Sequence, residues 1–139
     1  GEFGGPASVR YAIDDLGAHH LSHGIGAAED PGLVRELAAR GVFLHVCPTS
    51  NVRLGAVPSY DRHPLSRLGA AGCRVTLSTD DSLLFGASLI DEYHRAVGDL
   101  GLGWGELAGV ARTAFDAALM PTEERRALGD QAAEMLGRG

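Results

Sequence analysis

An amphipathic helix followed by a short apolar run, repeated three times, is the pattern that most constrains what this chain can fold into. Val9, Ala12, Ile13 and Leu16 share one helical face, with Pro6 near the start and Gly17 after the end, and residues 19–22 then read as a strand. Asp30-Pro31 supplies an N-cap followed by proline at the first helical position, and Leu33, Val34, Leu37 and Ala38 form a stripe that runs to Gly41. Residues 42–46 are the second strand. A shorter helix runs from His63-Pro64 through Leu65, Leu68 and Ala71 to Gly72, and residues 73–79 are the third strand.

Helices alternating with strands imply a parallel sheet with right-handed crossovers. A doubly wound sheet would carry a glycine-rich phosphate loop after its first strand, and Gly24-Ile25-Gly26 is too little for one. A (β/α)8 barrel takes about 250 residues. At 139 residues and three strands, the chain has the material for part of such a barrel. Beyond Asp81 the pattern is helical throughout: Leu89, Ile90, Tyr93, Val97 and Leu100 up to Gly101, then Trp104 to Ala118, then a third segment opened by Pro121 and carrying Leu128, Ala132 and Met135. No linker or internal repeat divides the chain, so residues 1–139 read as one partial domain. It opens on Gly1 and not on methionine, which marks it as processed or as a piece of something longer.

The net charge of −6 and the scattered arrangement of twelve basic residues argue against a nucleic-acid surface. No run of about 18 apolar residues is present and the start does not resemble an export signal, so no membrane association and a cytoplasmic location are expected. Cys47 and Cys73 lie within apolar runs and read as buried reduced thiols. With no Cys-x-x-Cys pair, the chain lacks the cytidine-deaminase type of zinc site.

In parallel α/β architectures the reactive groups collect at the carboxyl edge of the strands. Those positions are His23-Gly24, Cys47-Pro48-Thr49-Ser50-Asn51 and Thr79-Asp80-Asp81, and Glu2 joins them if a strand precedes the first helix. Two adjacent aspartates ending an apolar strand repel each other. They call for a compensating cation or polar ligand, because a carboxylate near a core is otherwise neutralised by a raised pKa.

Taken together and in order, Gly1-Glu2, Ser22-His23-Gly24, Cys47-Pro48-Thr49-Ser50-Asn51, His63-Pro64 and Ser78-Thr79-Asp80-Asp81 resemble the carboxyl-terminal half of the adenosine deaminase family. The resemblance covers essentially the whole chain. It implies the second half of a (β/α)8 TIM-type barrel with additional C-terminal helices, one catalytic zinc ion (Zn2+), and a small-molecule purine nucleoside as substrate. On that likeness Glu2 is the general acid, His23 the catalytic histidine beside the attacking water, Asp80 the zinc ligand and Asp81 the residue that hydrogen-bonds the purine ring. The implied reaction is hydrolytic deamination of adenosine or a related 6-aminopurine nucleoside, releasing ammonia. Zinc makes it feasible at neutral pH by lowering the pKa of bound water.

The chain departs from the family in having Ser82 after the aspartate pair and Leu21-Ser22 before His23. The family's remaining three zinc ligands would lie upstream of Gly1. The alternative reading is a non-catalytic half-barrel, a fragment or degenerate paralogue that binds a partner or self-associates through open strand edges. His19, His20, His45, His63 and His94 read as structural, Cys47 as a small buried residue, and Ser50-Asn51 as the closure of a turn.

Overall fold

A computed structural model describes residues 2–137, so Gly1 of the first motif lies outside the described residues. Helix α1 (Gly5–Asp14) leads into strand β1 (His20–Ser22), a 3-10 turn (Ile25–Glu29) and α2 (Pro31–Arg40). Strand β2 (Phe43–Val46) is followed by two short helices, α3 (Pro48–Arg53) and α4 (Leu65–Ala70), and then by β3 (Arg74–Leu77). Four helices close the chain: α5 (Ser82–Phe85), α6 (Leu89–Gly98), α7 (Trp104–Ala117) and α8 (Thr122–Leu136). Among the described residues no helix is long and apolar enough to cross a membrane.

The local signals act as read. Asp30 caps α2, its Oδ1 accepting from the amides of Gly32 and Leu33, and Gly41 ends the helix at φ 66°, where an L side chain is disfavoured. The other Asp30 oxygen accepts from Arg10 at 2.8 Å and ties α1 to α2.

The three strands are parallel in the order β1-β2-β3, with Leu21, Leu44 and Val75 in register. Period-two alternation sends these residues, with Val46 and Leu77, into one core with Val9 and Ile13 of α1, Leu33 and Leu37 of α2, Leu65 and Leu68 of α4, and Leu107 and Val110 of α7. Leu33, Leu37, Leu44 and Leu65 have no exposed surface, and burying a side chain of this size contributes about 1.5–3 kcal/mol. The opposite face of the sheet is mixed: Phe43 stacks on His20, His20 and His45 are hydrogen-bonded at 3.0 Å, and His45 pairs with Thr76 at 2.9 Å. Strands buried on both faces would read as continuously apolar. Here one face packs on helices, and the other carries the side chains a barrel directs inward.

Two readings of the terminal helices need correction. The stripe expected for α6 places Leu89 and Ile90 inward, but both are exposed, and Glu92 and Ala96 are buried in their place. Tyr93, Val97 and Leu100 of the same stripe do pack against the core, beside Glu92, whose carboxyl group accepts from the buried amide of Thr49 at 3.2 Å. On α8 Leu128 and Met135 are 39% and 71% exposed, and Gly129 is the buried residue, packed at ordinary contact distance against Phe115 and Arg112 of α7.

Candidate active site

The carboxyl ends of the three strands and the segment preceding α1 meet in one place. His23 follows β1 and Asp80 follows β3, and both adopt left-handed backbone conformations, φ 62° and 60°. Among the described residues no other side chain larger than glycine has a positive φ. Such a conformation is held only where the surroundings over-determine it, and it concentrates at functional sites. The His23 amide donates to the β2 carbonyl of His45 at 2.7 Å, and the Ser78 amide donates to that of Val46 at 2.9 Å, so β2 anchors both turns.

The chain start is seated by backbone contact. A Cβ on Gly26 would lie 3.0 Å from the Gly5 Cα and carbonyl carbon, so only glycine lets the turn after β1 press against the start of α1. Glu2 is thereby brought beside His23: its Oε2 lies 3.8 Å from His23 Nε2. The same ring nitrogen lies 3.8 Å from Asp80 Oδ2, which accepts from Ser50 Oγ at 2.6 Å.

Behind this front lies a buried polar chain. Asn51, with no exposed surface, directs its amide nitrogen to Glu2 Oε1 at 2.6 Å and to His23 Nδ1 at 3.1 Å. Its Oδ1 lies 3.1 Å from His63 Nε2, and His63 Nδ1 accepts from the amide of Leu65 at 3.1 Å. Burial lowers the His63 pKa from 6.5 to about 4 and keeps it neutral. Burial also pushes the Cys47 thiol up to about 12, with the Asp80 and Glu92 charges adding to the effect, which fits a small buried residue and not a nucleophile.

Of the four residues singled out by sequence, the structure brings Glu2, His23 and Asp80 together. Asp81 caps α5, its Oδ1 accepting from the Leu84 amide at 2.8 Å. The sequence places Ser50 and Asn51 at the strand edge and His63 at a helix start but marks none of the three as a site residue; His63 does precede α4, whereas Ser50 and Asn51 lie in α3 and not in a turn, and all three are buried.

The donor chemistry suits a divalent metal. Asp80 offers a carboxylate oriented by the Ser50 hydroxyl, the kind of outer hydrogen bond that fixes a metal ligand. Among the described residues no group of three or more His, Cys, Asp or Glu side chains could hold a metal unaided. One carboxylate does not hold a catalytic zinc by itself, since such a site takes several protein ligands.

A parallel, helix-backed sheet with an acid–imidazole cluster at its carboxyl edge defines a segment of a (β/α)8-barrel protein. The chain belongs to the adenosine deaminase family, whose sequence pattern it matches over residues 1–135. It is 46% identical over 128 residues to an adenine deaminase of Chelativorans, covering 92% of this chain and 39% of that protein. The crystal structure of an adenine deaminase from Arthrobacter aurescens superposes with a TM-score of 0.92 at 33% identity, over 99% of this chain and 42% of the other. An amidohydrolase from Burkholderia ambifaria, solved with bound zinc, shares the fold with a TM-score of 0.83 at 23% identity, over 100% and 41% of the two chains. The chain thus spans about two-fifths of the length of these relatives. The expected architecture, the carboxyl-terminal half of a barrel with added helices, stands.

Proposed function

We propose that this chain, completed by the barrel segment its relatives carry, catalyses zinc-dependent hydrolytic deamination of a 6-aminopurine, with residues 1–139 forming one partial deaminase domain. The observation that carries this reading is the convergence of Glu2, His23 and Asp80 within 3.8 Å contacts at the strand ends. The relatives named adenine deaminase favour the free base over the nucleoside as substrate.

Asp80 would hold the zinc, and Ser50 would keep its carboxylate in place. Bound zinc would supply a hydroxide nucleophile at neutral pH by lowering the pKa of water. His23, with Nε2 facing both carboxylates, orients the attacking oxygen as it adds to C6 of the ring. Glu2 gives its proton to the adjacent ring nitrogen, so that the added electron pair is neutralised where it accumulates. The proton of the added hydroxyl passes to the amino nitrogen, the C6–N bond to it breaks as C6=O forms, and ammonia leaves the 6-oxopurine. Asp81 has one oxygen committed to capping α5, and its second oxygen is assigned to the purine edge. Two buried free thiols suit a reducing compartment such as the cytoplasm.

The test uses the completed barrel protein and follows loss of adenine and adenosine absorbance together with zinc content. Asp80→Ala loses both zinc and activity. Glu2→Gln keeps zinc and loses about 10²–10⁴ of the rate, the usual worth of a general acid. Full activity in either variant overturns the role given to that residue, and a zinc-free active protein overturns the metal. The 139-residue chain alone is expected to turn over little substrate, and robust deamination by it would count against a shared site.

A further inference from the structure

We propose that Asn51 and His63 are positioning residues that select the tautomer of the His23 imidazole and the orientation of the Glu2 carboxyl, relaying the direction of the Leu65 backbone N–H to both groups. The kinetic part of this inference rests on the function proposed above. Its structural part does not.

The argument starts from a donor with no freedom. Leu65 opens α4, where backbone amides lack an intrahelical partner, and the residue has no exposed surface. Its N–H is satisfied by His63 Nδ1 at 3.1 Å, so that nitrogen bears no hydrogen. In the neutral ring the hydrogen then sits on Nε2, which donates to Asn51 Oδ1 at 3.1 Å. This step assigns the Asn51 amide, because an N–H donor cannot face the amide nitrogen.

With Oδ1 committed, both Nδ2 hydrogens point the other way. One meets Glu2 Oε1 at 2.6 Å and the other meets His23 Nδ1 at 3.1 Å. Accepting at Nδ1, neutral His23 carries its hydrogen on Nε2, the nitrogen that faces Glu2 Oε2 and Asp80 Oδ2. With Oε1 held by Asn51, the Glu2 carboxyl turns its Oε2 to that same side.

Asn51 cannot swing to another arrangement. Its backbone amide donates to the Cys47 carbonyl at 2.9 Å and its carbonyl accepts from Val57 at 3.1 Å. A flipped side chain would set donor against donor at His63 and leave His23 Nδ1 without its hydrogen bond. His63 stays neutral across the working range because of its burial, so the relay keeps one direction.

The test places 15N-labelled histidine in the completed barrel protein, with and without zinc, and reads ring tautomers from long-range 1H–15N correlations. Wild type is expected to show the Nε2–H form at both His63 and His23. Asn51→Asp, which replaces the donor by an acceptor, is expected to move His23 toward Nδ1–H. The same variant should lower kcat about 10–100-fold, the scale of losses from outer hydrogen-bond partners, with KM and zinc content little changed. His63→Gln, which keeps a donor for Asn51 Oδ1, should retain more activity than His63→Leu. An Nδ1–H tautomer at His23 in wild type overturns the proposal even if no variant folds. So does an Asn51→Asp protein with unchanged kcat and an unchanged His23 spectrum. If the completed wild-type protein deaminates no 6-aminopurine, the functional reading fails, while the two tautomers still decide this one.

Discussion

Ser50 Oγ donates to Asp80 Oδ2 over 2.6 Å, joining α3, which follows β2, to the left-handed residue that follows β3. The bond is short because its acceptor is charged. Ser50→Ala should therefore free the carboxylate to rotate and weaken zinc binding by about 10–100-fold. Competition with a chelator would measure this, and unchanged affinity would remove Ser50 from the site.

His63 gives the protein an acid sensitivity with a defined sign. Its pKa falls from 6.5 in the unfolded chain to about 4 in the folded one, so between these values the unfolded state binds the extra proton. The contribution of His63 is complete above pH 6.5 and is lost as pH falls through about 4, a span worth on the order of 3 kcal/mol. Urea midpoints across that range should decline in wild type and decline less in His63→Gln.

Glu92 has the opposite sign. It is fully buried on α6, its Oε1 has no hydrogen-bond partner, and burial raises its pKa above 4.5. The folded state then holds the proton more tightly than the unfolded one, and stability drops as pH rises through and beyond this value. Glu92→Gln keeps an acceptor for Thr49 and should flatten that part of the pH profile; an unchanged slope would show that Glu92 ionises freely in the fold.

Two glycines should respond differently to the same methyl group. In Gly26→Ala the new Cβ meets the Gly5 backbone at 3.0 Å, which should cost about 1–3 kcal/mol and displace Glu2 from His23. Gly109→Ala, in the middle of α7 with nothing within 4 Å, should gain about 0.5–1 kcal/mol. Equal effects on the urea midpoint would contradict the close packing of Gly26.

Cys47 should resist alkylation in the native protein, because its thiol is buried and its pKa lies near 12. Mass spectrometry after iodoacetamide at neutral pH should find it labelled only once denaturant is added.

The strands and most helices were legible because their signals are local: a short apolar run, a period of 3.6, Asp30 at an N-cap, Gly41 at a helix end. His23 and Asp80 were legible because a strand's carboxyl end is a fixed address in parallel folds. The roles of Asn51 and His63 were not, since a polar residue after a strand or before a helix looks the same whether it faces water or a buried partner. Their role depends on bonds spanning 28 residues, from Asn51 to His23, and 12, from Asn51 to His63. The burial of Glu92 on α6 escaped for the same reason, since its partner, the amide of Thr49, lies 43 residues away, while Tyr93, Val97 and Leu100 pack on the core as their spacing implied.

The left-handed backbone at His23 and Asp80 sets folding and chemistry at odds within this chain. Glycine at either position would relieve strain on the order of 1 kcal/mol, so Asp80→Gly is an easy route to a sturdier and inert protein. A sequence drifting under selection for foldability alone would slide toward glycine at both turns. A survey of stabilised variants of this chain should find these two positions among the first to change, and each gain there would be bought with the site.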